Sequence, residues 1–75
     1  MRISLRVYAE LSTLSPIKGQ SEIEVQSNSI EELFRDLGVP RWLVAVVLVN
    51  GEPVSLHQQL HDHDLVEMVP FVPGG

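Results

Sequence analysis

The last four residues, Val72-Pro73-Gly74-Gly75, contain the most informative chemistry of this sequence. We expect Gly75 to carry a free α-carboxylate that another enzyme could reach. Neither glycine has a Cβ atom, so this end is thin enough to enter a narrow channel and can adopt any backbone conformation there. The residues before the diglycine are apolar and restricted in φ, unlike a disposable polar tail, and we expect them to contact a partner protein: Pro70, Phe71, Val72 and Pro73.

Histidines and aspartates near the end of the chain raise the question of a metal site. His57 and His61 have i,i+4 spacing, and residues 61–64 (His-Asp-His-Asp) are rich in possible ligands. The spacing brings the two histidines together only on a helical turn, whereas residues 61–64 have the composition of a tight corner. The chain contains no cysteine, so disulfides, cysteine-ligated metals and thiol nucleophiles are excluded. We predict no metal and no cofactor bound by this chain.

Size and charge limit the remaining function classes. A chain of 75 residues forms one small domain without room for a deep catalytic cavity, so its function is expected on its surface or at its ends. The net charge of −5 disfavours nucleic acid and anionic membranes as partners. No run of 18 apolar residues occurs, and the sequence after Met1 alternates like a strand rather than resembling a signal peptide. We therefore expect a cytoplasmic protein.

The first half of the chain predicts two strands and a helix. Residues 2–8 and 22–26 alternate between apolar and polar side chains, as half-buried strands do, and residues 15–19 form a loop between them. Ser29 and Glu32 have the spacing of a capping box, and an apolar stripe at i, i+3, i+4 and i+7 follows. Gly38 and Pro40 predict the end of this helix. Trp42, beside Arg41, is either an anchor for a partner or a lid over the helix end.

The apolar run at residues 44–49 predicts a strand, and Asn50-Gly51 predicts a tight hairpin to a return strand that contains Val54. One short helix can cover only one face of a sheet, so either residues 44, 46 and 48 or residues 45, 47 and 49 should stand exposed. We predict that the outward member of the pair Val46 and Val47 belongs to a partner-binding surface.

The order of elements predicts an α+β fold, with a mixed four- to five-stranded sheet and one helix packed on one face. Residues 65–69 form the last strand, and the first and last strands are expected to be the central pair. The predicted domain covers residues 1–69, and residues 70–75 form an extended C-terminal tail.

Four segments resemble the sulfur carriers of the MoaD/ThiS type, which are ubiquitin-like β-grasp proteins. They are Tyr8-Ala9-Glu10-Leu11, Ser29-Ile30-Glu31-Glu32-Leu33, Val49-Asn50-Gly51 and the ending from Leu60 to Gly75. The ending is similar to the family pattern Leu-x-Asp-Gly-Asp, apolar strand, Pro-Pro-apolar-x-Gly-Gly. Here His63 replaces the turn glycine, Phe71 replaces the second proline, and Pro73 precedes the diglycine.

The resemblance implies a chemical role for the terminus. An E1-like adenylyltransferase would use ATP and Mg²⁺ to adenylate Gly75, and a sulfur donor would then convert it into a thiocarboxylate. The partner enzyme that receives the terminus would be the large subunit of molybdopterin synthase, with thiazole synthase of the thiamine pathway as the alternative. A further alternative, from another functional class, is a ubiquitin-like binding or modifier module without sulfur chemistry.

Overall fold

The computed structural model describes residues 1–7 and 20–70, and all structural statements refer to these residues. They form five strands, one α-helix and one 3₁₀ turn. In chain order these are β1 (Arg2–Val7), β2 (Gln20–Glu24), α1 (Ile30–Leu37), the 3₁₀ turn (Arg41–Leu43), β3 (Val44–Val49), β4 (Glu52–Val54) and β5 (Leu65–Pro70).

The five strands form one mixed sheet in the order β2-β1-β5-β3-β4. β1 and β5 run parallel, and every other neighbouring pair is antiparallel. The predicted α+β fold and the central pairing of the first and last strands are therefore confirmed. β5 occupies the middle of the sheet, so the chain enters residues 71–75 directly from its most enclosed strand.

The ends of α1 follow from local chemistry. Ser29 is the N-cap, and its Oγ accepts a hydrogen bond from the N–H of Glu32 at 3.3 Å. The carboxylate of Glu32 accepts from the N–H of Asn28 at 3.3 Å, one residue earlier than a reciprocal capping box requires. Gly38 ends the helix with φ of 72°, a left-handed conformation in which glycine carries no Cβ penalty.

Residues 55–60 supply hydrogen-bond acceptors to the first turn of α1. The N–H groups of Ile30 and Glu31 donate to the carbonyl oxygens of Gln58 and Leu56, both at 3.0 Å. These donors have no acceptor inside their own helix, so the neighbouring segment satisfies them. The residues around Leu56 form a turn, while His57 and His61 lie on no helical turn.

The core lies between α1 and one face of the sheet. Ile30, Leu33 and Phe34 of the helix are buried against alternate residues of the strands. The buried strand residues are Ile3, Leu5 and Val7 of β1, Val47 and Val49 of β3, and Val66 and Met68 of β5. The helix thus covers one face of the sheet, as predicted, and leaves the opposite face without a helix in the described part of the chain.

Three strand boundaries differ from the predicted ones. β2 begins at Gln20, because Gln20 and Ser21 pair with Arg6 and Leu5 of β1 although their side chains do not signal a strand, and it ends at Glu24 rather than at residue 26. β5 includes Pro70, which is buried and faces Val44, so the strand continues one residue past the predicted domain boundary at 69. The predicted loop at 15–19, the segment 8–11 and residues 71–75 lie outside the described residues.

Candidate functional site

Most of the site predicted at the end of the chain lies beyond Pro70, the last residue that the structure describes. Gly74 and Gly75, and the predicted contact residues Phe71, Val72 and Pro73, lie outside the described residues. Pro70, also predicted to contact a partner, is buried in the ladder opposite Val44. Proline has no N–H and a fixed φ, so Pro70 positions the chain at the end of the sheet rather than offering an exposed side chain. Five residues beyond it can reach at most about 17 Å.

A β-bulge in β3 decides which of its side chains face outward. The register passes from Val44 opposite Pro70 to Val46 opposite Val69, so Ala45 is an extra residue without a partner in β5. Residues two apart in a regular strand face the same side of the sheet. Val44 nevertheless packs against the core while Val46 faces away from it, because the bulge reverses the alternation between them. Neither predicted set of exposed residues is therefore correct as a whole.

After the bulge the alternation is regular. Val47 and Val49 are buried in the core at 5% and 8% exposure, and Val46 and Leu48 are half-buried on the opposite face. The prediction that one of Val46 and Val47 faces outward thus resolves to Val46. Val47 cannot contact a partner from its position in the core, so its inclusion as a partner-binding residue is corrected.

The helix-free side of the sheet, which we call the outer face, is charged along β1 and β2, where Arg2 pairs with Glu22 and Glu24, and is mostly apolar along the other strands. Its apolar members come from the last three strands of the sheet order, and they are Val46, Leu48, Pro53, Leu65 and Val69. In the middle, Arg6 Nη1 lies 3.3 Å from Glu67 Oε2, with 42% of the arginine side chain and 11% of the glutamate side chain exposed. An apolar surface beside one enclosed charge pair is suited to binding another protein.

Sequence reasoning did not single out Glu67 or Arg6. The signal was present, since Glu67 is the only charged residue of β5 and the two strands were expected to be neighbours. Their contact depends on the parallel register, which places Arg6 opposite Glu67. Burial of a carboxylate requires such a partner, because an unpaired buried charge is costly.

The corner at residues 61–64 performs a structural task. The Asp64 carboxylate accepts hydrogen bonds from Asn50 Nδ2 at 2.9 Å and from the His61 N–H at 2.8 Å. Asn50 Oδ1 in turn accepts from the Leu65 N–H at 3.0 Å. His63 has φ of 69°, as expected for a residue at a turn-glycine position. The corner therefore joins the β3–β4 hairpin to the start of β5.

Asp62 holds the beginning of β1 to the same corner. Its Oδ1 accepts a hydrogen bond from the Arg2 N–H at 2.7 Å, and this bond, aided by nearby positive charges, lowers the pKa of Asp62. Among residues 1–7 and 20–70, no group of three or more histidine, aspartate or glutamate side chains is arranged to hold a metal ion.

Trp42 is 75% exposed, so it is not a lid over the end of α1. No helix in the described ranges is long and apolar enough to cross a membrane. The outer face and the indole of Trp42 are exposed features of the described residues that a partner could contact.

Solved structures share this fold at low sequence identity. SAMP1 from Haloferax volcanii aligns over 100% of both chains with a TM-score of 0.74 and 17% identity. A complex of subunits 1 and 2 of molybdopterin-converting factor from Helicobacter pylori 26695 contains a chain that aligns over 100% of both chains, with a TM-score of 0.67 and 23% identity. The Haloferax volcanii HVO 2177 protein aligns over all of this chain and 87% of its own, with a TM-score of 0.73 and 24% identity.

These neighbours are ubiquitin-like β-grasp proteins, so the predicted fold is confirmed. No curated protein matches the sequence significantly. The family model for ThiS matches residues 5–75, which include the whole sheet after the start of β1, the helix and the diglycine. The chain therefore belongs to the ThiS family.

Proposed function

We propose that this protein is a sulfur carrier whose terminal glycine, Gly75, is activated and converted into a thiocarboxylate. The observation that carries the proposal is the family match, which continues through the diglycine to residue 75. The pathway proposed first is molybdenum cofactor biosynthesis, with this chain as the small subunit of molybdopterin synthase. The likeness to a chain in the Helicobacter pylori complex of subunits 1 and 2 of molybdopterin-converting factor supports that choice. Thiazole synthesis is the alternative.

The proposed chemistry takes place on the backbone. A carboxylate oxygen of Gly75 attacks the α-phosphorus of ATP in an E1-like adenylyltransferase, and pyrophosphate leaves. The terminal sulfur of a persulfide donor then attacks the acyl carbon, and AMP leaves with the C–O bond electrons. A thiol attacks the donor's sulfur in the resulting acyl disulfide, so a disulfide forms and the thiocarboxylate of Gly75 leaves with the S–S bond electrons. The sulfur is held by the chain terminus, so a protein without cysteine can carry it. This scheme requires Gly75 to bear a free carboxylate in the mature protein.

The outer face is the proposed docking surface for the large subunit. It lies on the sheet whose central strand leads into residues 71–75, so a protein bound there can also receive the terminus. The half-buried side chains of Val46, Leu48 and Val69 supply apolar area without deep reorganisation of the core. Arg6 and Glu67 lie in the same surface and can fix its orientation.

Intact mass spectrometry tests the proposal. The protein is incubated with its cognate adenylyltransferase, ATP, Mg²⁺, a persulfide donor and a thiol, and the expected product is heavier by about 16 Da because sulfur replaces oxygen. The control lacks the sulfur donor. A variant without Gly75 should keep the fold, since a terminal residue beyond the sheet buries little, but should not gain the mass. A mass gain in that variant, or none in the parent, would contradict the proposal.

A second candidate function is protein modification without sulfur transfer, and the likeness to SAMP1, a small archaeal modifier protein, favours it. In that case the activated Gly75 is attacked by an amine of another protein. The same incubation with cell extract in place of the sulfur donor separates the two functions. Covalent adducts in which Gly75 forms an isopeptide bond would support modification. Absence of adducts in the extract, together with a mass gain of about 16 Da in the incubation with the sulfur donor, would support the carrier.

A further inference from the structure

The first half of β3 is an open sheet edge. β4 pairs only with the second half, and its register ends where Val54 faces Val47. Residues 44–46 extend beyond β4, and in the described part of the chain no strand flanks them on that side. Ala45 is exposed and, as the bulged residue, has no register partner in β5 either. An open edge of this kind can add another extended strand.

An apolar groove lies directly beside this edge. It has a volume of about 260 Å³ and is bounded by the first half of β3, by the turn after β4 and by α1. We call it the edge groove; its lining includes Phe34, Arg41, Ala45, Val47, Val54 and Leu56. A strand added at residues 44–46 would direct alternate side chains toward this groove, because successive side chains of a strand point to opposite faces.

One basic side chain, Arg41, stands at the rim of the edge groove. Arg35 lines a neighbouring cavity instead, and its Nε lies 3.7 Å from Asp36 Oδ1. Arg41 Nη1 lies 3.0 Å from Glu31 Oε2, but both side chains are more than half exposed, so the pair is weak. The guanidinium has five N–H donors and can therefore bind a second carboxylate. Arg41 is therefore the position at this rim where an acidic group of a partner can bind.

We propose that the edge groove binds an extended apolar segment of another protein that carries an acidic residue beside its apolar core. The open edge of β3 selects an extended backbone, the groove accepts alternate aliphatic side chains, and Arg41 selects the flanking carboxylate. The edge groove meets the outer face at Val46, which lines both, so changes at residues 44 and 45 distinguish the groove. The inference does not depend on the proposed sulfur chemistry.

A synthetic peptide probes the site directly. Its core is Val-Ile-Val-Ile flanked by aspartates, and a control peptide has the same core flanked by lysines. Binding is followed by amide chemical shifts of the nitrogen-15-labelled protein and by the fluorescence of Trp42, which is the only tryptophan and directly follows Arg41. The aspartate peptide should shift the amides of residues 44–46. Methylation of its central backbone nitrogens, which removes ladder donors, should weaken binding at least about fivefold.

Charge reversal completes the test without disturbing the core. Arg41→Glu should weaken binding of the aspartate peptide by about fivefold and strengthen binding of the lysine peptide. Arg2→Glu, which changes an exposed side chain in β1, should leave the affinity for both peptides unchanged. Equal binding of the two peptides, no binding at all, or shifts confined to the outer face would overturn the proposal. Shifts at residues 44–46 that depend on protein concentration without peptide would also overturn it, since a second copy of the chain would then occupy the edge.

Discussion

Val46 and Val47 are adjacent residues of one strand whose replacement should separate partner binding from folding. Val46 lies half-buried on the outer face and Val47 lies in the core, opposite Met68 of β5. We expect Val46→Asp to fold and to lose affinity for the large subunit. Val47→Asp should not fold.

The expected magnitudes follow from burial. A domain of this size has a free energy of unfolding of about 4–11 kcal/mol. Val47 is 5% exposed, so Val47→Asp loses about 1.5–3 kcal/mol of apolar burial and also places an unpaired carboxylate in the core, at a further cost of several kcal/mol. The sum approaches or exceeds the total stability. Val46→Asp loses about half of the burial, near 1 kcal/mol, because its new carboxylate remains in contact with water.

The assay combines chemical denaturation with titration of the large subunit. Val46→Asp should weaken binding by about 1–3 kcal/mol, or about fivefold to 150-fold in Kd, with its unfolding free energy reduced by about 1 kcal/mol. Since Val47→Asp is expected to be unfolded, Val47→Thr provides the folded control. It should lose about 1–3 kcal/mol of stability from the buried hydroxyl and leave Kd unchanged.

Two results would refute this reasoning. If Val46→Asp and Val47→Asp destabilise the domain equally, both faces of β3 are covered and the outer face is not free. If Val46→Asp folds and binds the large subunit as tightly as the parent, the outer face is free but is not the docking surface.

Three other predictions concern the corner and the terminus. Asp64→Ala should lower the free energy of unfolding by about 2–4 kcal/mol, because it removes two hydrogen bonds to a buried carboxylate, and thermal melting should show this loss. Asp62 has a lowered pKa in the folded state, so it stabilises the fold above its unfolded pKa of about 4 and loses that contribution as the pH falls through the folded value. Acid titrations should therefore show a shallower loss of stability for Asp62→Asn than for the parent, and parallel curves would contradict the assignment. Gly74→Ala should slow both activation and discharge of Gly75, because a Cβ narrows clearance in a channel and restricts φ. Equal rates in a single-turnover assay would show that thinness of the terminus is unimportant.

Features set by neighbouring residues could be predicted from the sequence alone. The Ser29 cap, the Gly38 stop and the Asn50-Gly51 turn depend on side chains and φ values within a few residues, and the structure has all three. The strand at 44–49 was also predicted with its observed bounds, because six apolar residues before a turn leave little choice. The diglycine at residues 74–75 belongs to the same class, since it was identified by position and residue type.

Tertiary pairing decided what the sequence pattern left open. Only the register against β5 makes Ala45 a bulge, and that bulge brings Val44 to the core side and leaves Val46 facing outward. Contacts distant in sequence cannot be read from periodicity, and the same reason explains the Arg6–Glu67 pair, whose residues are 61 positions apart. The edge groove likewise exists only because β4 is short and α1 packs beside it. The sequence by itself determined the helix, the approximate positions of the strands and the diglycine, and the packing of the sheet determined which faces a partner can reach.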